Sequence, residues 1–246
     1  MNGFTFNTTD IARRGLRDDV YDRILELLMS GSTEPGTRLS IDTIARQLGV
    51  SSTPVREALV QLERTGLVIR EALKGYRVAP PLGRQQIIEL VRAREMLEGT
   101  AALLAGEYAQ SLLPELREAH ERHRAAGDAV IESLDAGRTD VALSAEYYAR
   151  DHDFHQAIFR HSGNRYLMEM TDNLGAQLHR LRQAVTRGVT DVREAIGEHQ
   201  EIIVAFETGD PQRAQRAMEQ HIKNVLIRSL RDEDPTGIAP TEASSA

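Results

Sequence analysis

Apolar residues recur at helical spacing near the start of the chain. Between Val20 and Leu28 they fall every three or four positions, which predicts an amphipathic helix from about Asp18 to Ser30. A second helix is predicted between Ser40, whose hydroxyl can cap its first turn, and Gly49, which can end it. Two short helices joined by a polar connection therefore precede the most informative stretch of the sequence.

That stretch, LGVSSTPVREALVQLERTGL, runs from residue 48 to residue 67 and predicts a third helix. Pro54 is tolerated in a first helical turn, where no amide needs an intrahelical partner. Val55, Leu59 and Leu62 follow at i, i+4 and i+7 and give the helix one buried face. The opposite face carries Ser52, Thr53 and Arg56. Short hydroxyl side chains beside a cation suit a helix that enters a DNA major groove.

After Gly66 the pattern changes from helical to β-favouring. Residues 67–70 and 76–78 read as short strands joined by EALKG, which predicts a β-hairpin. Three helices followed by a hairpin is the order of a winged helix-turn-helix domain. In that arrangement the residues of the wing are Lys74, Gly75 and Arg77.

From residue 84 to about residue 231 only helical patterns appear, separated by glycine, asparagine and proline. Short loops between successive helices predict an antiparallel helical bundle, and the whole chain is expected to be mainly α. For the second predicted helix, Pro114–Leu134, an interruption near Gly127 is an alternative. The predicted helices are Arg84–Tyr108, Pro114–Leu134, Asp140–His161, Arg165–Arg187, Val192–Glu207 and Pro211–Arg231.

Composition narrows the possible functions. The 246 residues include no cysteine, which excludes disulfides, thiolate metal sites and thiol catalysis. No apolar run is long enough to span a bilayer and no signal-peptide pattern opens the chain, so we expect a cytoplasmic protein without a membrane partner. Residues 1–82 carry 11 Lys/Arg and 10 Asp/Glu, a net charge of +1, whereas the remainder carries −8. Only the first part could approach a polyanion without strong repulsion.

Four residues of the helical region form a candidate metal site. Asp151 and His155 are one helical turn apart, on a face bordered by Phe154 and Ile158. His199 and His221 lie on or beside the apolar stripes of two later helices. A single histidine there is more often a hydrogen-bonded core residue than a ligand. A carboxylate and three imidazoles buried together are costly, and a divalent cation would remove that cost.

The first part of the chain resembles the DNA-binding domain of the GntR family of bacterial transcription regulators. The resemblance rests on PGTRLSIDTIARQLGVSSTPVREALVQLERTGLV and KGYRV, with TPVREAL as its most specific motif. Many members have arginine at the position of Ser52, so a bidentate guanine contact is missing here and operator preference is expected to differ. The open alternatives are a helix cap for Ser51 and a surface ion pair for Arg56. The resemblance implies DNA contacts by Ser51, Ser52, Thr53, Arg56 and Gly75.

The helical region resembles the FCD domain of the FadR-like subfamily of these regulators. The matching motifs are DHDFHQAIFRHSGN, GEHQEIIVAFETGD and MEQHIKN. Three imidazoles and one carboxylate suit zinc first, with nickel or manganese as alternatives. Arg94 resembles the family's effector-contacting arginine, although an i, i+4 surface pair with Glu98 is an equal alternative. The metal ligands that the resemblance implies are Asp151, His155, His199 and His221.

These expectations combine into a ligand-responsive transcriptional regulator, usually a repressor in this family. It would act as a homodimer on a palindromic operator and respond to a small organic or sugar acid beside the metal. One rival is an HD-type metal-dependent phosphohydrolase, suggested by the His152-Asp153 dipeptide; another is a metal-free regulator that binds acyl-CoA. The remaining histidines are interpreted as surface or structural. The expected organisation is a disordered arm (1–15), a winged helix-turn-helix domain (16–79), a linker (80–83), an effector-binding, metal-binding and dimerisation domain (84–233) and a disordered tail (234–246).

Overall fold

The computed structural model describes residues 9–29, 33–72, 74–171, 174 and 188–231. Most of these residues are helical, and a small antiparallel sheet accompanies the helices near the start of the chain. The mainly α fold class predicted from the sequence is therefore confirmed. The chain divides into two compact units with a boundary between Pro81 and Leu82. The predicted tail, 234–246, lies outside the described residues.

In the first unit, the described helices and strands build one apolar core. Val20 and Ile24 of the first helix pack with Leu59 and Leu62 of the third and with Tyr76 of the sheet. The elements are α1 (Thr9–Met29), β1 (Arg38–Leu39), α2 (Ile41–Leu48), α3 (Ser52–Thr65), β2 (Val68–Glu71) and β3 (Gly75–Val78). This is the winged helix-turn-helix order that the sequence predicts.

The turn between α2 and α3 forms as its residue types predict. Ser40 caps α2, and its hydroxyl accepts a hydrogen bond from the Thr43 amide at 3.3 Å. Gly49 ends α2 with φ of 67°, a left-handed conformation that costs a glycine little. Pro54 and the apolar stripe of α3 are buried, with Val55 at 0% exposure. The exposed face of α3 is consequently left for contacts outside the unit.

The sheet contains a strand that the sequence analysis did not predict. β3 lies between β1 and β2 and pairs antiparallel with both. Val68 is opposite Val78 and Glu71 is opposite Gly75, so the predicted hairpin is present. β1 has only two residues, which is too short to show the alternating pattern that identifies a strand.

The first helix corrects the predicted N-terminal arm. α1 begins at Thr9 instead of about Asp18, so residues 9–15 are helical and not disordered. This segment has no apolar periodicity, but it contains strong helix formers, namely Ala12 and two arginines. Periodicity reports burial rather than helicity, so a helical segment can lack it. Residues 1–8 lie outside the described part of the chain.

The second unit is a bundle of helices. In the described residues these are α4 (Arg84–Gly106), α5 (Ala109–Asp135), α6 (Val141–His161), α7 (165–171), α8 (Val189–Glu207) and α9 (Pro211–Arg231). α4 packs on α9 and α6, α5 packs on α6 and α8, and α8 packs on α9. Four of these helices, α5, α6, α8 and α9, therefore meet around a shared interior. None of the described helices is long and apolar enough to cross a membrane.

Helix α5 differs from its prediction in two ways. It begins at Ala109, so Pro114 lies inside the helix instead of starting it. Leu112 and Leu116, both at 0% exposure, bury the turns on either side, and this packing offsets the one amide that proline cannot supply. The helix also continues through Gly127, where a Cβ would come within 2.6 Å of Ile196. The glycine there permits close packing of α5 on α8 and does not interrupt the helix.

Candidate metal centre and nucleic-acid surface

The bundle brings the four predicted metal ligands into one interior region. Asp151 and His155 lie one turn apart on α6, while α8 supplies His199 and α9 supplies His221. Asp151 Oδ1 is 3.6 Å from His199 Nε2 and 3.8 Å from His155 Nε2. The three histidines are buried, with exposures of 6% or less. The spacing seen in the sequence thus corresponds to proximity in the fold.

The donor atoms form two overlapping groups rather than one set of four. One group contains His155, His199 and His221, and the other contains Asp151, His199 and His123. Within each group the candidate ligand atoms lie within 4.8 Å of one another. His199 belongs to both groups, so it is the centre of the cluster.

His123 was missed by the sequence analysis, which interpreted it as surface or structural. The structure buries it completely on α5, and its Nε2 lies 4.0 Å from Asp151 Oδ1. The signal was present in the sequence: Leu116, Ala119, His123, Gly127 and Val130 recur every three or four residues and form the buried stripe of α5. The same test that selected the other three histidines would have selected this one.

Two glutamates contact the Nδ1 atoms of two histidines in the cluster. His155 Nδ1 lies 2.6 Å from Glu98 Oε2, and His221 Nδ1 lies 2.8 Å from Glu198 Oε2. A carboxylate at Nδ1 favours a proton there, which leaves the Nε2 lone pair directed at a cation. Both side chains are therefore oriented as metal-ligating histidines usually are.

An arginine lies behind each of these carboxylates. Arg94 Nε is 2.6 Å from Glu98 Oε1, and Arg228 Nη1 and Nη2 donate to the two Glu198 oxygens at 2.5 and 2.8 Å. Burial alone would raise the pKa of each carboxyl, but the adjacent arginine and histidine outweigh it and lower both pKa values to about 2. Glu98 and Glu198 thus remain ionised at neutral pH.

The structure gives Arg94 a buried partner. It forms the i, i+4 pair with Glu98 that the sequence analysis held as the alternative to effector contact, but both side chains are only 6% exposed. This pair is not at the surface, as that alternative assumed. An effector contact by Arg94 stays a prediction, and any such contact would have to be shared with Glu98.

Burial favours the neutral form of three imidazoles in the cluster, those of His123, His199 and His221. It lowers the pKa of His123 to about 4, lowers the pKa of His199 well below its ordinary value and lowers that of His221 as well. Metal binding requires an unprotonated ring nitrogen, so a depressed pKa favours it. These three histidines can therefore bind a cation at neutral pH without first losing a proton.

Unsatisfied buried atoms support a metal fit. Within the described part of the chain, both ring nitrogens of His123 and of His199 lack a hydrogen-bond partner, as does His155 Nε2. Buried polar atoms are almost always paired, and leaving several unpaired in one place is costly. Imidazole and carboxylate donors converging on one region match the preferences of zinc and its neighbours. The residues present fit a divalent cation.

The other histidines divide by position. His120 is buried on α5, whereas His152 is partly exposed and belongs to neither donor group of the described residues. His161 Nδ1 lies 3.0 Å from the Ala157 carbonyl, a structural hydrogen bond. His179 lies outside the described residues. The HD dipeptide of the phosphohydrolase alternative therefore does not contribute its histidine to the donor cluster.

The predicted DNA-contacting residues of α3 lie together at its exposed N-terminal end. Ser51, Ser52, Thr53 and Arg56 are all exposed. Ser51 occupies the N-cap position, but its side chain makes no capping hydrogen bond. These hydroxyl and guanidinium groups are accessible to an external partner, and their contact with DNA stays a prediction.

The wing residues differ in how accessible they are to an external partner. Gly75 has φ of 87°, which few other residues adopt, and Lys74 is exposed with its ammonium 3.6 Å from Glu71. Arg77 is half-buried; its Nε contacts Glu71 at 3.0 Å, and its Nη1 donates to the Gly36 carbonyl at 2.9 Å. Arg77 is thus used within the unit, while Lys74 extends towards solvent.

A groove of about 330 Å³ lies beside the exposed end of α3. Its lining includes Arg38 of β1, Arg56 of α3 and Arg70 of β2. Sequence reasoning did not select Arg38 or Arg70, because strand residues show no helical periodicity and β1 was not predicted. Three cations along one concave surface suit a phosphate backbone.

Two protein families match the chain. Residues 16–78 match the family described as bacterial regulatory proteins, gntR family, and residues 89–224, more than half of the chain, match the FCD domain. The Uxu operon transcriptional regulator of Escherichia coli (strain K12) is 30% identical over 86% of this chain and 86% of its own length. The HTH-type transcriptional repressor GlaR of the same strain is 26% identical over 83% of this chain and 91% of its own.

A solved structure shares the fold. E. coli McbR/YncC superposes with a TM-score of 0.72 at 24% identity, over 89% of this chain and 98% of that one. The relatives are transcriptional regulators and not enzymes, which removes the phosphohydrolase alternative.

Proposed function

Because the chain belongs to the gntR family of bacterial transcriptional regulators and carries an FCD domain, we propose that it is a metal-containing, ligand-responsive repressor. It would bind a palindromic operator as a homodimer, and such a DNA partner implies a cytoplasmic location. The observation that carries the metal and ligand parts of this proposal is the buried donor cluster centred on His199. A repressor among the relatives, GlaR, supports the direction of regulation.

The DNA step would use the exposed end of α3. Arg56 is long enough to reach a base edge, while Ser52 and Thr53 can donate hydroxyl hydrogens to phosphate or base. Arg38, Arg70 and Lys74 would add sequence-independent phosphate contacts. Two copies in a dimer would read two half-sites, so operator symmetry would follow the symmetry of the protein.

The metal would be held by Asp151, His155, His199 and His221. When bound, a divalent cation there supplies a Lewis-acidic position for an anionic oxygen of a ligand. The Arg94–Glu98 and Arg228–Glu198 pairs hold His155 and His221 in the orientation that this binding needs. A metal-free acyl-CoA site would leave the unpaired ring nitrogens of the cluster without a role.

The effector is proposed to be a small organic or sugar acid. A carboxylate can bind a cation directly and can also accept hydrogen bonds from an arginine such as Arg94. Binding would favour one arrangement of the helical unit and thereby change operator affinity. The ligand would be bound and released unchanged, as in a sensor.

Gel-shift measurements with the DNA upstream of the gene for this protein test the proposed operator binding. At low salt the folded dimer should shift this DNA against an excess of nonspecific competitor, and Arg56→Ala should weaken specific binding by about 1–3 kcal/mol. Arg64→Ala, an exposed arginine near the end of α3, is the matched control. Absence of a sequence-specific shift from folded dimer would reject the proposal.

Metal analysis and thermal shift test the second unit. Reconstituted protein should hold about one equivalent of metal, and less than about half an equivalent would count against the site. A panel of organic and sugar acids should raise the melting temperature of the metal-loaded protein and leave the chelated protein unchanged. Equal shifts in both forms would mean that the acids bind away from the metal.

A further inference from the structure

His123 lies in the cluster without a structural reason of its own. The side chain has 0% exposure, and neither ring nitrogen has a hydrogen-bond partner among the described residues. A histidine retained only for packing normally donates or accepts at least one hydrogen bond, as His161 does with the Ala157 carbonyl at 3.0 Å. A buried imidazole with neither ring nitrogen hydrogen-bonded among the described residues indicates a ligand that the side chains alone do not supply.

The surroundings of His123 are those of a donor. Its Nε2 lies 4.0 Å from Asp151 Oδ1, close to the 3.8 and 3.6 Å that separate the same oxygen from His155 and His199. Three ring nitrogens therefore surround one carboxylate oxygen at nearly equal distances. Ligands about 2.1 Å from a common ion lie between about 3 and 4.2 Å apart, depending on the angle at the metal. These three separations fall within this range, and His199 belongs to both donor groups of the cluster.

The ring packing also orients His123 towards the cluster. Its ring centroid is 4.7 Å from that of His199 and 4.6 Å from that of Tyr147. His120, one turn earlier on α5, is also buried, but its ring is 6.5 Å from His199 and it joins neither donor group. Of these two histidines on α5, only His123 therefore belongs to a donor group of the described residues.

We propose that His123 is a fifth protein ligand of the cation held by Asp151, His155, His199 and His221. This inference rests on the proposed metal site. The donor set, four imidazoles and one carboxylate, suits zinc, nickel or cobalt(II). α5 then joins α6, α8 and α9 as a ligand-bearing helix, so the ion crosslinks four helices of the bundle.

A fifth protein donor changes how an effector can bind. A six-coordinate ion with five protein ligands has one open position, whereas four protein ligands leave two. A carboxylate effector would then contact the metal through a single oxygen, and its second oxygen would need a protein donor. Chelating acids that require two metal positions, such as a 2-hydroxy acid binding through both oxygens, would be disfavoured.

Cobalt(II) serves as a spectroscopic probe for this ligand set. The full chain, stripped of metal and loaded with one equivalent of cobalt(II), should show four paramagnetically shifted histidine ring N–H signals. His123→Gln should show three and should release cobalt to a competing chelator at least about tenfold more readily. His120→Gln, the matched control, should keep all four signals and the wild-type affinity.

The outcomes separate the two proposals. Three shifted signals in the wild-type protein would overturn the role of His123 even if no variant folded. Equal cobalt affinity for wild type and His123→Gln would overturn it as well. Failure of the wild-type protein to bind cobalt would instead reject the underlying metal site.

Discussion

The Glu198 carboxylate organises one side of the candidate metal site. It accepts hydrogen bonds from His221 Nδ1 at 2.8 Å, from Asn224 Nδ2 at 2.8 Å and from both guanidinium nitrogens of Arg228. Arg228 is 3% exposed, and its charge is balanced by this carboxylate and by the more distant Glu194, whose Oε2 lies 3.6 Å from Arg228 Nη1. A single side chain therefore both orients a candidate metal ligand and pairs with a buried cation.

We expect Glu198→Gln to destabilise the metal-free protein by about 1–3 kcal/mol, because the buried Arg228 charge then keeps only the more distant Glu194 carboxylate, 3.6 Å from its Nη1. Urea unfolding in the presence of a chelator measures this effect. Glu201→Gln, an exposed position on the same helix, is the control and should change the unfolding free energy by less than about 0.5 kcal/mol. Equal effects at the two positions would mean that the Glu198 pair contributes little.

The same substitution should weaken metal binding. Without the carboxylate, His221 loses the hydrogen-bond partner that fixes its tautomer. Loss of such a partner of a metal ligand typically lowers metal affinity by about 10- to 100-fold. Competition with a chelator measures the ratio in folded variant and wild type. An unchanged dissociation constant would contradict the orienting role of Glu198.

The sequence indicates the candidate ligands more readily than the carboxylates that hold them. Asp151 and His155 are one turn apart on a single helix, so local spacing was enough to pair them. Glu98 looked like half of a surface pair with Arg94, because the burial of that helix face depends on how α4 packs on α6 and α9. Local pattern identifies neighbours along a helix, but burial of a charged pair is decided by other helices.

Among the helices and strands, those with clear end signals were predicted best. Ser40 and Gly49 delimited α2, and α9 has the bounds that the proline and the final apolar positions indicated. The predicted start of α5 is wrong because proline is typical of a first helical turn, whereas Pro114 lies inside the helix. A proline inside a helix is tolerated only where neighbouring turns are well packed, and that packing is not visible in local sequence.

Close packing between α4 and α9 depends on Gly106. A Cβ at this position would lie 2.7 Å from Pro211 Cα and Cβ, which are backbone and rigid ring atoms. We expect Gly106→Ala to destabilise the protein by about 1–3 kcal/mol, because neither helix end can yield without displacing the other. Thermal and urea unfolding measure the change.

Gly197 provides the matched comparison for this prediction. It is exposed within α8, and a Cβ there would meet nothing within 4 Å. Gly197→Ala should therefore stabilise the protein by about 0.5–1 kcal/mol through helix propensity. If both alanine variants moved stability in the same direction, close packing at Gly106 would not be the cause.

At the scale of the whole chain, charge and donors are divided between the two units. Residues 1–82 are nearly neutral, at +1, while the remainder carries −8 and all the metal-donor residues. The first unit has its own apolar core, formed by residues between Val20 and Val78. The proposed DNA contacts and the proposed ligand site thus lie in separate compact units.

Because the donors lie in the second unit, metal binding is expected to stabilise the helices of that unit. An ion that binds only the folded second unit stabilises it by about 2.7 kcal/mol when free metal exceeds the dissociation constant 100-fold. Amides of α5, α6, α8 and α9 that exchange through unfolding of this unit should then be protected by about 100-fold, while those of α1 to α3 keep their rates. Hydrogen exchange of the full chain with zinc or with chelator measures this pattern.

His199→Ala supplies the control, because removing the central donor should abolish the zinc-dependent protection in the bundle helices. Protection that extended equally into α1 to α3 would show that the two units unfold as one cooperative body. In that case the metal would stabilise the DNA-binding unit directly, and loss of the ion alone would weaken operator binding. Protection confined to the second unit would instead require an effector-dependent rearrangement to carry the signal to DNA.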